Sequence, residues 1–106
     1  MISQTEIEQL VKEIAEGYQP EKIYLFGSYA NGIPNFDSDI DLLVVKNTSE
    51  RKHLRHIGVR ESIKTYPFVG MDIIVYTPEE LKAVQNDVVN IAKEAINTGR
   101  LLYERL

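Results

Sequence analysis

Two rhythms of apolar residues alternate along this chain. From Ile7 they recur at Leu10, Val11 and Ile14, which is the spacing of one helix face. Ser3 and Glu6 form a capping box ahead of that stripe, Ile2 and Ile7 are placed to clasp its first turn, and Gly17 with Pro20 is expected to end it. Residues 22–26, Lys-Ile-Tyr-Leu-Phe, then read as a short strand. The run 40–45, Ile-Asp-Leu-Leu-Val-Val, is apolar on both faces beyond its acid, which suits a strand in the middle of a sheet. Thr48 or Ser49 can open a second helix reaching about Lys64, with Leu54, Ile57 and Ile63 turned inward. Residues 69–76 predict a third strand, and Thr77-Pro-Glu-Glu80 a second capping box with proline in the first turn. After a turn at Asn86-Asp87, a last helix is expected to bury Val88, Ile91, Ala92, Ala95 and Ile96 and to stop at Gly99, leaving Arg100 to Tyr103 as an edge strand. The pattern predicts an α/β (α+β) fold with a mixed, roughly four-stranded sheet and helices mainly on one face.

Length limits this picture to one domain spanning residues 1–106, with no room for a second core. A net charge of −4 and a pI near 5.1 argue against a long nucleic acid as a tightly held ligand. The chain has no cysteine, which rules out disulfides and thiolate metal sites. No apolar run approaches the ~20 residues needed to cross a bilayer, and the polar N-terminus is unlike a signal peptide, so a cytoplasmic protein is expected.

The chemistry concentrates in residues 26–45. Asp39 and Asp41 are two apart at the head of the second strand, so in extended chain both carboxylates face the same way. Two adjacent anions repel, and nothing in folding favours them there unless a cation lies between; all-oxygen ligands favour Mg2+ or Mn2+. Gly27-Ser28 follows the first strand as a tight turn whose backbone N–H groups and hydroxyl could hold an anion. Asp72, early in the third strand, is a third acid that is costly to bury unless paired or metal-bound; Asp37 competes with it but sits in a loop, where it would cap a turn. A calcium loop fails because Leu42 stands where glycine is needed and Thr48 where glutamate is needed. A dinucleotide turn fails because the next glycine after Gly27 is Gly32. His53 and His56 are too few for a zinc site. Arg51, Lys52, His53, Arg55, His56, Arg60 and Lys64 make the second helix basic, as a solvated face or as a phosphate- or partner-steering surface.

Gly27-Ser28, ten intervening residues and then Asp39-Ile40-Asp41 resemble the signature of the polymerase-beta-like nucleotidyltransferase superfamily, and most of all its minimal (MNT) branch. The resemblance implies a palm-like fold in which Asp39, Asp41 and Asp72 hold two divalent ions, Mg2+ or Mn2+, Gly27 and Ser28 hold the phosphates of an NTP, and Asp72 doubles as general base. It implies transfer of a nucleoside monophosphate, AMP from ATP, to a hydroxyl with release of pyrophosphate. It further implies a helical HEPN toxin as partner and acceptor in a toxin–antitoxin pair, with homo-oligomers as another assembly. The branch often carries an arginine just after the Gly-Ser turn, whereas Tyr29, Ala30 and Asn31 stand here, leaving Lys46, Arg60 or Lys64 as substitutes. The alternative is an inactive module of the same fold that acts by masking its partner.

Overall fold

The computed structural model describes residues 1–106. The first capping box forms: Ser3 Oγ accepts the Glu6 N–H at 3.2 Å, Glu6 Oε1 accepts the Ser3 N–H at 3.0 Å, and helix α1 runs Gln4–Tyr18. Its buried stripe is the expected one, extended to Tyr18. Its end is not where Gly17 suggested. Gly17 lies inside the last turn, where a Cβ would come within 2.6 Å of Ser62 Cβ, and Gln19 provides the left-handed cap at φ +53°. The glycine serves a close crossing of two segments, which looks the same in sequence as a helix stop.

Strands β1 (Lys22–Phe26), β2 (Ile40–Val45), β3 (Met71–Tyr76) and β4 (Arg100–Glu104) form one sheet in the order β3-β2-β1-β4. β1 is antiparallel to β2 and β4, whereas β2 and β3 are parallel, so the sheet is mixed. β2 is interior, and Ile40, Leu42, Leu43 and Val44 are fully buried, as its two-sided apolar pattern requires. β4 lies at an edge.

The larger core is on one face. There α1, the short α2 (Ser28–Asn31) and α3 (Arg55–Glu61) meet Ile23, Leu25, Ile40, Leu42, Val44, Ile73 and Val75. On the other face α4 (Pro78–Val84) and α5 (Ile91–Thr98) cover Leu43, Val45 and Tyr76, and the small side chains of Ala92 and Ala95 let α5 lie close to the strands. This smaller cover leaves the N-terminal ends of β2 and β3 accessible: Asp41 is half-buried and Asp72 exposed.

Two helices depart from their apolar patterns. Thr48 Oγ1 accepts the Glu50 N–H at 3.1 Å in a turn, and helix begins only with a 3-10 turn at Lys52–Leu54 before α3. Leu54 and Ile57 are exposed, while Arg55 and Val59 face inward. Arg55 fixes that rotation: its guanidinium donates to both Glu80 carboxylate oxygens, at 2.6 and 3.2 Å, to the Val75 carbonyl at 3.1 Å and to the Glu50 carbonyl at 2.9 Å. A cation in a core position misleads any reading by apolar spacing. In α5 the N-cap is Asn90, whose Oδ1 accepts the Ala92 and Lys93 N–H groups, so Val88 falls before the helix and is exposed, and Ile91 and Ile96 are not in the core.

The Arg55–Glu80 pair gives a test of the fold. The hydrogen bond from Arg55 holds the Glu80 carboxyl below its usual 4.5. Its stabilisation is therefore present above pH 4.5 and lost as pH falls through the lower folded-state value. Glu80→Gln strands a buried guanidinium; the Glu80 side chain is 34% exposed, so the expected cost at pH 7 is about 2 kcal/mol, under the ~3–5 kcal/mol of a fully buried pair. Urea unfolding should show that gap narrowing below pH 4.5.

Candidate active site

Beyond Phe26 the chain turns through Gly27 at φ +74°, a conformation that favours glycine. Space makes the same demand, since a Cβ there would lie 2.1 Å from Asp41 Oδ2. α2 begins at Ser28, with the Gly27 carbonyl accepting the Ala30 and Asn31 N–H groups at 3.1 and 3.0 Å. Tyr29 turns into the core, and its hydroxyl accepts the Ile2 N–H at 3.2 Å. The residue after the Gly-Ser pair is thus a packing anchor that ties this turn to the start of α1.

Strand register places the acids. Phe26 pairs with Asp41 across β1 and β2, and Asp41 pairs with Asp72 across β2 and β3. Paired residues share a face, so these two carboxylates are direct cross-strand neighbours. Asp39 lies two residues earlier on the same face and is exposed at the lip of the sheet. There the Ile40 N–H donates to the Gly70 carbonyl at 2.9 Å and continues the ladder one step past Met71. Asp39, Asp41, Asp72, Gly27 and Ser28 accordingly gather at one end of the sheet. As their side chains stand, the acids do not converge as a ready three-ligand cage.

Burial first, then the charges of Asp72 and Asp39, raises the Asp41 carboxyl above its ordinary 3.8, and no hydrogen bond or cation offsets them. The ion pairs of the molecule, Lys22–Glu104 and Arg55–Glu80, lie elsewhere. A half-buried acid beside two other anions is a place where a cation is stabilised, and three hard carboxylates suit a divalent ion of the Mg2+ or Mn2+ kind.

Other expected participants have different tasks. Asp37 does not cap its turn; Asn35 Oδ1 does, accepting the Asp37 N–H at 2.8 Å. Lys46 follows the far end of β2, where its ammonium donates to the Tyr18 carbonyl and stands 4.2 Å from the Tyr18 ring centroid. Arg60 donates to His56 Nδ1 and to the Met71 carbonyl, each at 3.1 Å, and Lys64 lies near Glu13. His56 is therefore occupied by an arginine, which removes it from any zinc pair. One residue without a sequence signal of its own stands at the site: Gly70, which faces the Asp39 carboxylate.

A family model described as polymerase beta nucleotidyltransferase matches residues 8–106. No curated protein matches the chain. Among solved structures, the chain is similar to a candidate nucleotidyltransferase from Sulfolobus solfataricus, at 25% identity and a TM-score of 0.61, over 93% of this chain and 78% of that one. It is also similar in fold to a toxin–antitoxin with AMP-PNP, at 19% identity and a TM-score of 0.65, over 92% of this chain and 73% of that one.

The raised Asp41 carboxyl has a measurable consequence. A carboxylate whose folded-state pKa is raised opposes folding once it ionises, so the penalty appears as pH rises past 3.8 and is complete above the folded-state value. Asp41→Asn removes it. In chelator at pH 7 the variant should melt a few degrees above the unsubstituted protein, with the gain vanishing below pH 3.8.

Proposed function

This chain belongs to the polymerase beta nucleotidyltransferase family, and from that footing we propose that it moves a nucleoside monophosphate from an NTP to a hydroxyl acceptor. The observation that carries the proposal is the register that sets Asp41 beside Asp72, with Asp39 on the same face and the Gly27-Ser28 turn against Asp41. In this reading Asp39, Asp41 and Asp72 hold two divalent ions, Mg2+ or Mn2+. When bound, such ions supply neutralisation of the phosphate charge and acidify the acceptor hydroxyl. The Ser28 hydroxyl and the backbone beside Gly27 hold the terminal phosphates. Asp72, which is exposed on β3, takes the acceptor's proton. The acceptor oxygen bonds to the α-phosphorus, the bond from that phosphorus to the bridging oxygen breaks, and pyrophosphate leaves with the electron pair.

ATP as donor and a toxin protein as partner are supported by the fold likeness to the toxin–antitoxin with AMP-PNP, and that partner as acceptor is what the motif resemblance suggests. A HEPN-type helical partner is the form the resemblance of the Gly-Ser and Asp-x-Asp motifs suggests. A second reading, a module that masks its partner without catalysis, draws on the absence of an arginine after Ser28: Tyr29 there is a core anchor, and Lys46 and Arg60 are engaged elsewhere.

Titration calorimetry with AMP-PNP separates the two. Catalysis predicts binding that needs Mg2+, is abolished by chelator, and weakens at least roughly tenfold in Asp39→Asn and in Asp41→Asn. A folded protein without Mg2+-dependent binding would favour the masking module.

A further inference from the structure

We infer that Gly70 is a positioning residue for the metal site: its missing side chain sets where the Asp39 carboxylate stands. The inference rests on the reading of Asp39 as a metal ligand. Gly27 and Gly32 are at positive φ, but Gly70 is not, so its backbone is open to any L-residue. Space is what it provides. A Cβ at position 70 would lie 2.4 Å from Asp39 Oδ1 and 3.0 Å from Asp39 Cγ, with Oδ2 at an ordinary contact distance of 3.5 Å, so one edge of the carboxylate occupies the place a side chain would take. The hydrogen bond from the Ile40 N–H to the Gly70 carbonyl, at 2.9 Å, pins the two backbones in that relation.

Each of the paired acids on β2's lip is thus seated against a glycine: Asp41 Oδ2 against Gly27 and Asp39 Oδ1 against Gly70. The two seats differ in kind. At Gly27 the turn itself requires glycine, whereas at Gly70 only the carboxylate does. Because Asp39 is exposed and its side chain can rotate, a methyl group at 70 displaces the carboxylate at little cost to the fold. As they stand the acids do not converge, so ligation needs Asp39 to turn from this seat. A methyl group at 70 narrows the space in which it turns, and the loss falls on the ligand set, as with other residues that orient a metal ligand without touching the metal.

The test crosses two variants with two readouts: Mn2+ affinity by electron paramagnetic resonance, and melting temperature in chelator. Gly70→Ala should weaken Mn2+ binding by roughly 10–100-fold and leave the melting temperature nearly unchanged. Gly32→Ala is the control for destabilisation alone. Gly32 has φ +76° with nothing within 4 Å of a Cβ, so that variant should melt lower and bind Mn2+ as before. Equal Mn2+ affinity in Gly70→Ala and the unsubstituted protein, or a loss matched by Gly32→Ala, would overturn the inference alone. An unsubstituted protein that binds no Mn2+ would overturn the metal reading of Asp39 and this inference with it.

Discussion

Two carboxylates held side by side by a parallel β-ladder are the constraint on which this molecule depends. Asp41 and Asp72 are paired in the β2–β3 register, and neighbouring strands lie ~4.8 Å apart. At an effective dielectric of about 20 that separation implies a repulsion on the order of 3 kcal/mol, reduced where Asp72 meets water. The same strand supplies the compensation. Leu42, Leu43 and Val44 are fully buried directly after Asp41, and burial of each such side chain contributes roughly 1.5–3 kcal/mol. β2 is anchored by its apolar half so that its acidic half can be held in an unfavourable field.

The helices follow from that division. α1, α2 and α3 seal one face along its length, whereas α4 and α5 cover the other only over Leu43, Val45 and Tyr76. The acids share the partly covered face. They are close enough to the core for burial to raise the Asp41 carboxyl, yet Asp39 and Asp72 remain exposed to an incoming ligand. The Gly-Ser turn joins the two halves: Gly27 makes room for Asp41, and Tyr29 carries the turn into the core beneath α1.

Much of this was legible in the chain. The β-forming run at 22–26, the two-sided apolar run at 40–45, the two capping boxes and the period of two linking Asp39 to Asp41 are local patterns, and each led to the right element. What stayed hidden depends on contacts distant in sequence. Arg55 turned inward because Glu80, twenty-five residues on, offered both carboxylate oxygens. Gly17 proved to be a crossing point with Ser62 rather than a helix stop, and Lys46 meets the Tyr18 carbonyl at the end of β2 away from the acids. Gly70 gave no signal because its role is an absence of atoms beside Asp39, visible only once both backbones are placed.

The central claim is that the Asp41–Asp72 pair is a cation site for nucleotide chemistry. Crystals grown with Mn2+ and AMP-PNP, measured at the manganese absorption edge, test it most directly. The account predicts anomalous peaks within ligand distance, ~2.0–2.3 Å, of the Asp41 and Asp72 carboxylates, with phosphate density reaching the Gly27-Ser28 turn. Well-ordered crystals with nucleotide bound elsewhere, or with no manganese at these acids, would contradict it.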